Sequence, residues 1–216
     1  MNTRRTQIFI IFLIVSINSY SQETGTFKDT RDGKIYKTVK IGTQTWMAEN
    51  LAYKANDGCW AYNNDENNAK MYGYLYNFDT AREVCPDGWH LPQLDSWKAL
   101  IEFVGKQQYP EYVAGRELKE KGFKHWQYFE DYDYRKRIGV SNGNDTFGFT
   151  ALPAGDYNMT VDKFGGINWT ATWWVNIYEI ISGYSAYSYS VGLLSDFMRL
   201  DRTPVEYGLS VRCIKD

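Results

Sequence analysis

Apolar and polar residues alternate through Val39, Lys40 and Ile41, the pattern of a strand with one buried face. The surrounding stretch, FKDTRDGKIYKTVKIGTQTWMAENL from Phe27 to Leu51, places two turn signals, Asp32-Gly33 and Gly42-Thr43, between β-branched and aromatic runs. It predicts a small antiparallel meander whose apolar face continues through Trp46 and Leu51. Residues 56 to 69, rich in Asn and Asp, read as a polar loop. The period then changes. Leu75, Phe78, Ala81 and Val84 recur at helical spacing up to Cys85-Pro86, where proline stops a helix. Trp97, Leu100, Ile101 and Val104 form the apolar face of a second helix, with Asp95 as its cap and Gly105 as its stop. A third, short helix with alternating charges is predicted from Glu111 to Lys121, ending at Gly122.

Beyond about residue 145 the chain reads as strands and turns: DTFGFTALPAGDY, INWTATWWV, YSAYSYSVGLL and GLSVRCIKD are β-prone runs separated by Gly, Asn and Asp. Helices in the first half and strands in the second, with the opening strands left to pair with the last, predict an α+β domain whose terminal strands share one sheet.

The N-terminus changes the picture. Arg4 and Arg5 precede an apolar run from Ile8 to Ile17 and small residues at Ser19 and Ser21, which reads as a signal peptide over residues 1–21, cut before Gln22. The run is short of the roughly 20 residues a membrane helix needs. No cysteine adjoins the predicted cut, so lipid attachment of the bacterial type is not expected. The mature chain, residues 22–216, keeps 195 of the 216 residues, enough for one sizeable core, and no Pro-rich, Ser-rich or single-sign linker divides it. With the leader go two of the 24 basic residues, leaving 22 against 26 acidic ones. A mildly acidic chain argues against nucleic acid as partner. The last residues, Arg212 to Asp216, read as a strand, which leaves no room for an appended sorting domain; periplasm, outer surface and medium all stay open.

Eighteen tyrosines and eight tryptophans favour strands with buried or ligand-facing rings. Export permits disulfides, and the three cysteines, Cys59, Cys85 and Cys213, leave one unpaired or pairing elsewhere. Cys85 opens CPDGWHLP, which also holds His90, one of the two histidines. Catalysis by Cys85 needs a base within hydrogen-bond reach. His90 lies across an Asp-Gly turn and a bulky Trp, His125 stands in an aromatic loop, and no CxxC pair accompanies the thiol. A structural corner accounts for more residues: Pro86 ends a helix, Asp87-Gly88 reverses the chain, Trp89 and Leu91 enter the core, and Pro92 presets the next helix. Cys85 could then clip this corner to Cys213. Closing a loop of that length is worth about 4–5 kcal/mol in the chain-entropy account.

DGKIYKTVKIGTQTWMAENL, YGYLYNFDTA, CPDGWHLP, FGFTALPAGDYN, the Trp173-Trp174 pair and GLSVRCIKD, in this order, resemble the successive motifs of the Fibrobacter succinogenes major paralogous domain, a family of exported bacterial domains. The resemblance runs from about Thr30 to Asp216. It implies a fold similar to C-type lectin-like domains and to the formylglycine-generating enzyme, without an established activity. In that broader set a cysteine ahead of the long loop region bonds to one in the last strand, which fits Cys85 with Cys213. The chain departs from the family at two places. A second cysteine often follows the one matching Cys59, and here that position is Asn68, so Cys59 lacks its partner. Where the family commonly reads LPT followed by Asp or Ser and later Glu-Trp, the chain continues from Leu91 as Pro92-Gln93-Leu94-Asp95-Ser96-Trp97, which moves the expected cap of the second helix from Gln93 to Asp95.

Lectin-like folds present irregular loops in their second half, and there the chain offers Asn142, Asn144, Asp145, Asp156, Tyr157, Asn158, Trp173 and Trp174. Aromatic faces stack on sugars while Asn and Asp bond hydroxyls, or hold a calcium ion that does so. The ordinary reading is a turn at Asn142-Gly143 and a strand that points one of the two tryptophans inward. Calcium has no support: the Glu-Pro-Asn, Gln-Pro-Asp and Trp-Asn-Asp triplets of calcium-dependent lectins are missing, and NGND is no EF-hand loop. No cofactor is therefore expected, with calcium left open as an unsupported alternative. Formylglycine-type oxidation needs two reactive cysteines near the C-terminus, and only Cys213 follows Cys85. FEDYDY, with Glu130, Asp131 and Asp133 followed by Arg135-Lys136-Arg137, reads as a solvated loop in preference to a two-carboxylate site. The expectation is a non-catalytic exported module for glycans or another cell-surface ligand. The alternative is an adhesive envelope protein that uses an exposed cluster of Tyr184, Tyr187 and Tyr189 against a protein partner.

Overall fold

In the computed structural model, residues 22–106, 114–128, 130, 143–177 and 184–216 are described. The expected leader, the start of the third helix at Glu111, Asn142 and, apart from Glu130, the FEDYDY run with its basic neighbours lie outside these residues.

The alternation seen at Val39 runs through most of β2 (Ile35–Ile41), broken only where Thr38 and Val39 are both buried, and the strand pairs with β1 (Thr24–Lys28) on one side and β3 (Gln44–Met47) on the other. Val39 stands opposite Trp46, and both are buried. The next segment corrects the sequence reading. Residues 56 to 69 are not one loop: they hold β4 (Cys59–Trp60), a 3-10 turn at Tyr62–Asn64, and the start of α1 (Glu66–Tyr72). Asp65 caps α1 by accepting from the Asn67 amide at 2.9 Å, and Ala69 and Tyr72 supply its buried face. Leu75-Tyr76 does not open a helix but forms β5 (Leu75–Tyr76), fully buried, with its backbone committed to the ladder. Asn77 then caps α2 (Phe78–Glu83), accepting from the Thr80 amide at 3.0 Å.

The CPDGWHLP corner folds as anticipated. Gly88 has φ of 77°, a conformation other residues resist, and the Trp89 amide closes the turn on Pro86 O at 3.0 Å. Trp89 and Leu91 are buried, and β6 (Trp89–His90) leads out of the turn. The second predicted helix is α3 (Leu94–Lys106), but its cap is not Asp95 and Gly105 is not its stop. The helix starts a residue before Asp95 and the Gln93 carbonyl already accepts from Trp97 N at 3.2 Å, so Asp95 stands exposed in the first turn beside Lys98. Gly105 lies inside the helix, buried. Of the third helix, α4 (Ala114–Leu118) is described.

The second half is β7 (Ala154–Asn158), β8 (Lys163–Ile167), β9 (Thr170–Trp174), β10 (Ser185–Gly192), β11 (Arg199–Pro204), β12 (Leu209–Ser210) and β13 (Ile214–Lys215). The sequence reading missed β8, diluted by two glycines, and β11, which is largely charged. Three sheets result: β1-β2-β3-β13-β6, β11-β10-β9-β12-β5-β4, and the hairpin β7-β8. Pairing is antiparallel throughout except between β12 and β9. As predicted, the opening and closing strands share a sheet, Ile214 lying opposite both Trp46 and His90. Cys85 is bonded to Cys213, with Cα atoms 6.0 Å apart, and this fastens α2's exit to the segment before β13. The fold is thus mixed α and β, with few helices and mainly antiparallel sheets. Among the described residues no helix is long and apolar enough to cross a membrane.

Candidate functional site

The two tryptophans of β9 are both fully buried, which removes them as ligand platforms. An edge or half-exposed strand would turn one of them outward, but β9 lies inside the six-stranded sheet with both faces covered. Trp173 packs against Trp97 and Phe149 with ring centroids 5.6 and 5.7 Å away, and its indole N–H donates to Asn50 Oδ1 at 2.9 Å. Trp174 faces the other way, onto Phe78 at 5.3 Å, and donates to Tyr76 O at 2.6 Å. The tyrosine cluster is also corrected. Tyr184 is 77% exposed and Tyr187 half-buried, but Tyr189, opposite Trp173 in the ladder, is buried.

Asn144 and Asp145 do not join the other candidates. Asn144 donates from Nδ2 to the buried Glu117 carboxylate at 2.7 Å. Asp145 accepts from the amide and hydroxyl of Thr150 at 2.7 and 2.8 Å, and both residues have positive φ. Burial pushes the Asp145 carboxyl up against the pull of these two bonds. The pair folds its own loop onto α4, using the hydrogen-bonding capacity a ligand would need.

The remaining three candidates, Asp156, Tyr157 and Asn158, are successive residues of β7 and stand on the hairpin with β8. Tyr157 is the centre of a run of four rings. Trp60 lies 4.8 Å from it, Phe164 4.6 Å, and Tyr62 a further 5.2 Å beyond Phe164. Tyr62 and Tyr157 are buried, whereas Trp60 and Phe164 are partly open to solvent. The Tyr157 hydroxyl donates to Asp162 at 2.8 Å. Asn158 is held between the Tyr207 hydroxyl, to which its Nδ2 donates, and the Thr160 amide, which donates to its Oδ1.

Asp156 is different. It stands opposite Gly165, and Gly166 follows with φ of 73°. A Cβ added at Gly165 would meet only Asp156 Oδ1, at 3.8 Å, whereas one at Gly166 would meet Thr170 Oγ1 at 2.5 Å and Asp156 Oδ2 at 3.4 Å, so the hydroxyl of Thr170 takes the place of a side chain at Gly166. The carboxylate is partly buried, burial pushes its pKa up, and it has neither ion pair nor hydrogen bond among the described residues. Burial likewise raises the Tyr62 hydroxyl; an amide bond from Ile167 opposes this and the Asp156 charge adds to it.

Sequence reasoning missed Trp60, Tyr62 and Phe164, which join Tyr157 only through the fold. The Gly165-Gly166 pair inside an otherwise β-prone run was the available signal, because such glycines mark a close approach. Also missed was the pairing of Glu120 with His125, where Nδ1 and Oε1 are 2.8 Å apart and both side chains are mostly buried. Among the described residues no hydroxyl or thiol bonds the other imidazole nitrogen. Cys59 is a free thiol, donating to Ala55 O at 3.3 Å, and burial pushes its pKa up, away from reactivity. No group of three or more His, Cys, Asp or Glu side chains converges for metal binding among the described residues.

The family model of the Fibrobacter succinogenes major domain matches residues 39–215. No curated protein and no solved structure matches the chain.

Proposed function

The chain belongs to the Fibrobacter succinogenes major domain family, and we propose that it is an exported, non-catalytic binding module of C-type lectin-like architecture that takes glycans. The observation that carries this reading is the run Trp60–Tyr157–Phe164–Tyr62, in which Trp60 and Phe164 are partly open to solvent and the Tyr157 hydroxyl donates to Asp162 at the rim. Such a combination suits a sugar, whose C–H face stacks on rings while its hydroxyls bond to oxygen and nitrogen at the rim. The Cys85–Cys213 bond is consistent with export after cleavage of residues 1–21, and it favours a lectin-like tie between the central corner and the closing strand. The same bond takes up two of the three sulfurs, and the half-buried Cys59 is unsuited to thiol chemistry, which speaks against an oxidase.

The test is an array of bacterial and plant glycans, probed with and without chelator, followed by Phe164→Ala and Trp60→Ala. Binding that falls at least tenfold in both variants, with unchanged near-UV circular dichroism, supports the assignment. Binding unaffected by either change moves the site elsewhere. Tyr184, 77% exposed directly before β10, favours a second reading, an adhesive envelope protein with a protein partner. That reading gains if the array is blank.

A further inference from the structure

We propose that Asp162 is the hydroxyl acceptor of the ring site and makes it select neutral glycans over acidic ones; the proposal rests on the glycan-binding reading and narrows it. Strand alternation sets the geometry. Tyr157 and Phe164 stand opposite each other in the β7-β8 ladder and share one face, whereas Lys163, opposite Asn158, belongs to the other. Asp162 ends the loop that joins the two strands, and the 2.8 Å bond from the Tyr157 hydroxyl holds its carboxylate at the hydroxyl end of that ring, on the face that carries Phe164. Tyr157 is itself pinned. It exchanges both backbone hydrogen bonds with Gly208, at 2.9 and 2.8 Å, and a Cβ on that glycine would meet the Trp60 ring at 3.1 Å and Tyr157 Cβ at 3.2 Å. Only a residue without a side chain lets Trp60 close on Tyr157, so rings and carboxylate are set in place before a ligand arrives.

The carboxylate is exposed, and the Tyr157 hydroxyl is its single hydrogen-bond partner among the described residues. A carboxylate has about four acceptor sites, so most of its capacity is left for a ligand. Its neighbours are apolar and open to solvent: Met159 and Val161 in the same loop are exposed, and Phe164 is partly so. An anchored polar group among uncovered apolar side chains has the composition of a contact surface.

That set selects among sugars. A neutral sugar with a C–H face against Phe164 has hydroxyls at its rim, and neighbouring hydroxyls can donate to one carboxylate as charge-assisted bonds. A uronic acid or sulfated sugar brings a second negative charge to Asp162, and the adjacent cation, Lys163, lies on the wrong face of the hairpin to offset it.

The test is calorimetric titration at about pH 7, where ordinary carboxyls are ionised, with three oligosaccharides of equal length: a β-1,4-glucose oligomer, a β-1,4-mannose oligomer and a β-1,4-glucuronate oligomer. At least one neutral oligomer is expected to bind about tenfold or more tightly than the glucuronate, and added salt is expected to narrow that gap by screening the repulsion. Asp162→Asn keeps a side chain that tolerates the φ of 49° at this position. It is expected to weaken the neutral oligomer about tenfold, the worth of one charge-assisted hydrogen bond, and to erase the preference. Glucuronate binding as tight as that of both neutral oligomers, or a preference that survives Asp162→Asn, overturns the proposal and leaves the glycan reading intact. If none of the three binds, the proposal fails, and the glycan array decides whether the wider reading fails with it.

Discussion

Arg212 and Asn50 meet in the core, with the arginine Nη2 2.7 Å and Nε 3.1 Å from the same Asn50 Oδ1, both side chains buried. The oxygen is shared with the Trp173 indole N–H, and the Asn50 amide reaches Tyr72 O at 2.8 Å. Backbone carbonyls of Met47 and Phe149 take the arginine's other donors, and the guanidinium lies over the Phe149 ring, 4.4 Å from its centroid. Among the described residues no carboxylate bonds it; burial pushes its pKa down to about 9, with Glu49 and Asp145 opposing from a distance. Neutral acceptors, with Asn50 Oδ1 taking two of the bonds, thus hold a buried cation. Asn50→Leu, which leaves the charge and an indole N–H without that acceptor, should cost about 3–5 kcal/mol. Arg212→Met removes the charge together with its burial penalty and should cost less, about 1–3 kcal/mol. Urea unfolding of both variants checks the order, and the reverse order would mean that the buried charge carries little penalty.

The disulfide should be worth about 2–5 kcal/mol, measured as the loss in the Cys85→Ala/Cys213→Ala double variant. Thiol titration of the denatured protein should find one group before reduction and three after it, since Cys59 alone is free. Three before reduction would refute the bond.

Lys119 carries a pH signature. Its ammonium is buried, donating to Ser195 O at 2.9 Å with the Asp196 carboxylate 3.8 Å away. Burial pushes its pKa from 10.5 down to about 8, and Asp196 opposes this. Between these two values the unfolded chain holds a proton that the folded one has released, so this group's contribution rises with pH across the window. Buried Tyr36 and Tyr76, whose hydroxyls are pushed up, act in the opposite direction only once unfolded tyrosines ionise near pH 10. Unfolding free energies at about pH 7.5 and 9.5 should therefore show the wild type gaining about 1–2 kcal/mol relative to Lys119→Met. A constant difference would show that Lys119 keeps its proton in the fold.

Asp156 works with the reverse sign. Its folded pKa lies above the unfolded 3.8, so the ionised form is penalised at neutral pH, and the penalty fades as pH falls through the folded value. Asp156→Asn should raise Tm by about 2 °C at neutral pH, and the gain should vanish in acid below the unfolded value. A lower Tm for the variant at neutral pH would point to a bonding partner for the carboxylate.

Local periodicity carried much of the fold. The meander and α3 could be read because their apolar positions repeat on one face, and CPDGWHLP because each of its residues has a separate conformational reason. α1 was hidden by Asn67 and Asn68, poor helix formers that leave only Ala69 and Tyr72 to mark a buried side. Trp173 and Trp174 were misread because strand alternation predicts two faces but not that two separate core layers cover both of them. Asp156 and Asn158 were legible as polar residues in a strand. Their aromatic neighbours were not, because Trp60 and Tyr62 reach Tyr157 and Phe164 across nearly half the chain.

Among the described residues the two-residue strand β13 is the only neighbour of β6 in its sheet, and Cys213 stands directly before it. A chain exported N-terminus first into an oxidising compartment, as proposed above, would expose Cys59 and Cys85 to each other before Cys213 arrives, and the first bond chemically open to it would be the wrong one. Correct pairing has to wait for the final residues, by which time Trp89 and His90 have stood without a sheet partner for most of synthesis. Maturation of this domain should accordingly be slow and sensitive to the supply of disulfide isomerase, a dependence that Cys59→Ser would relieve.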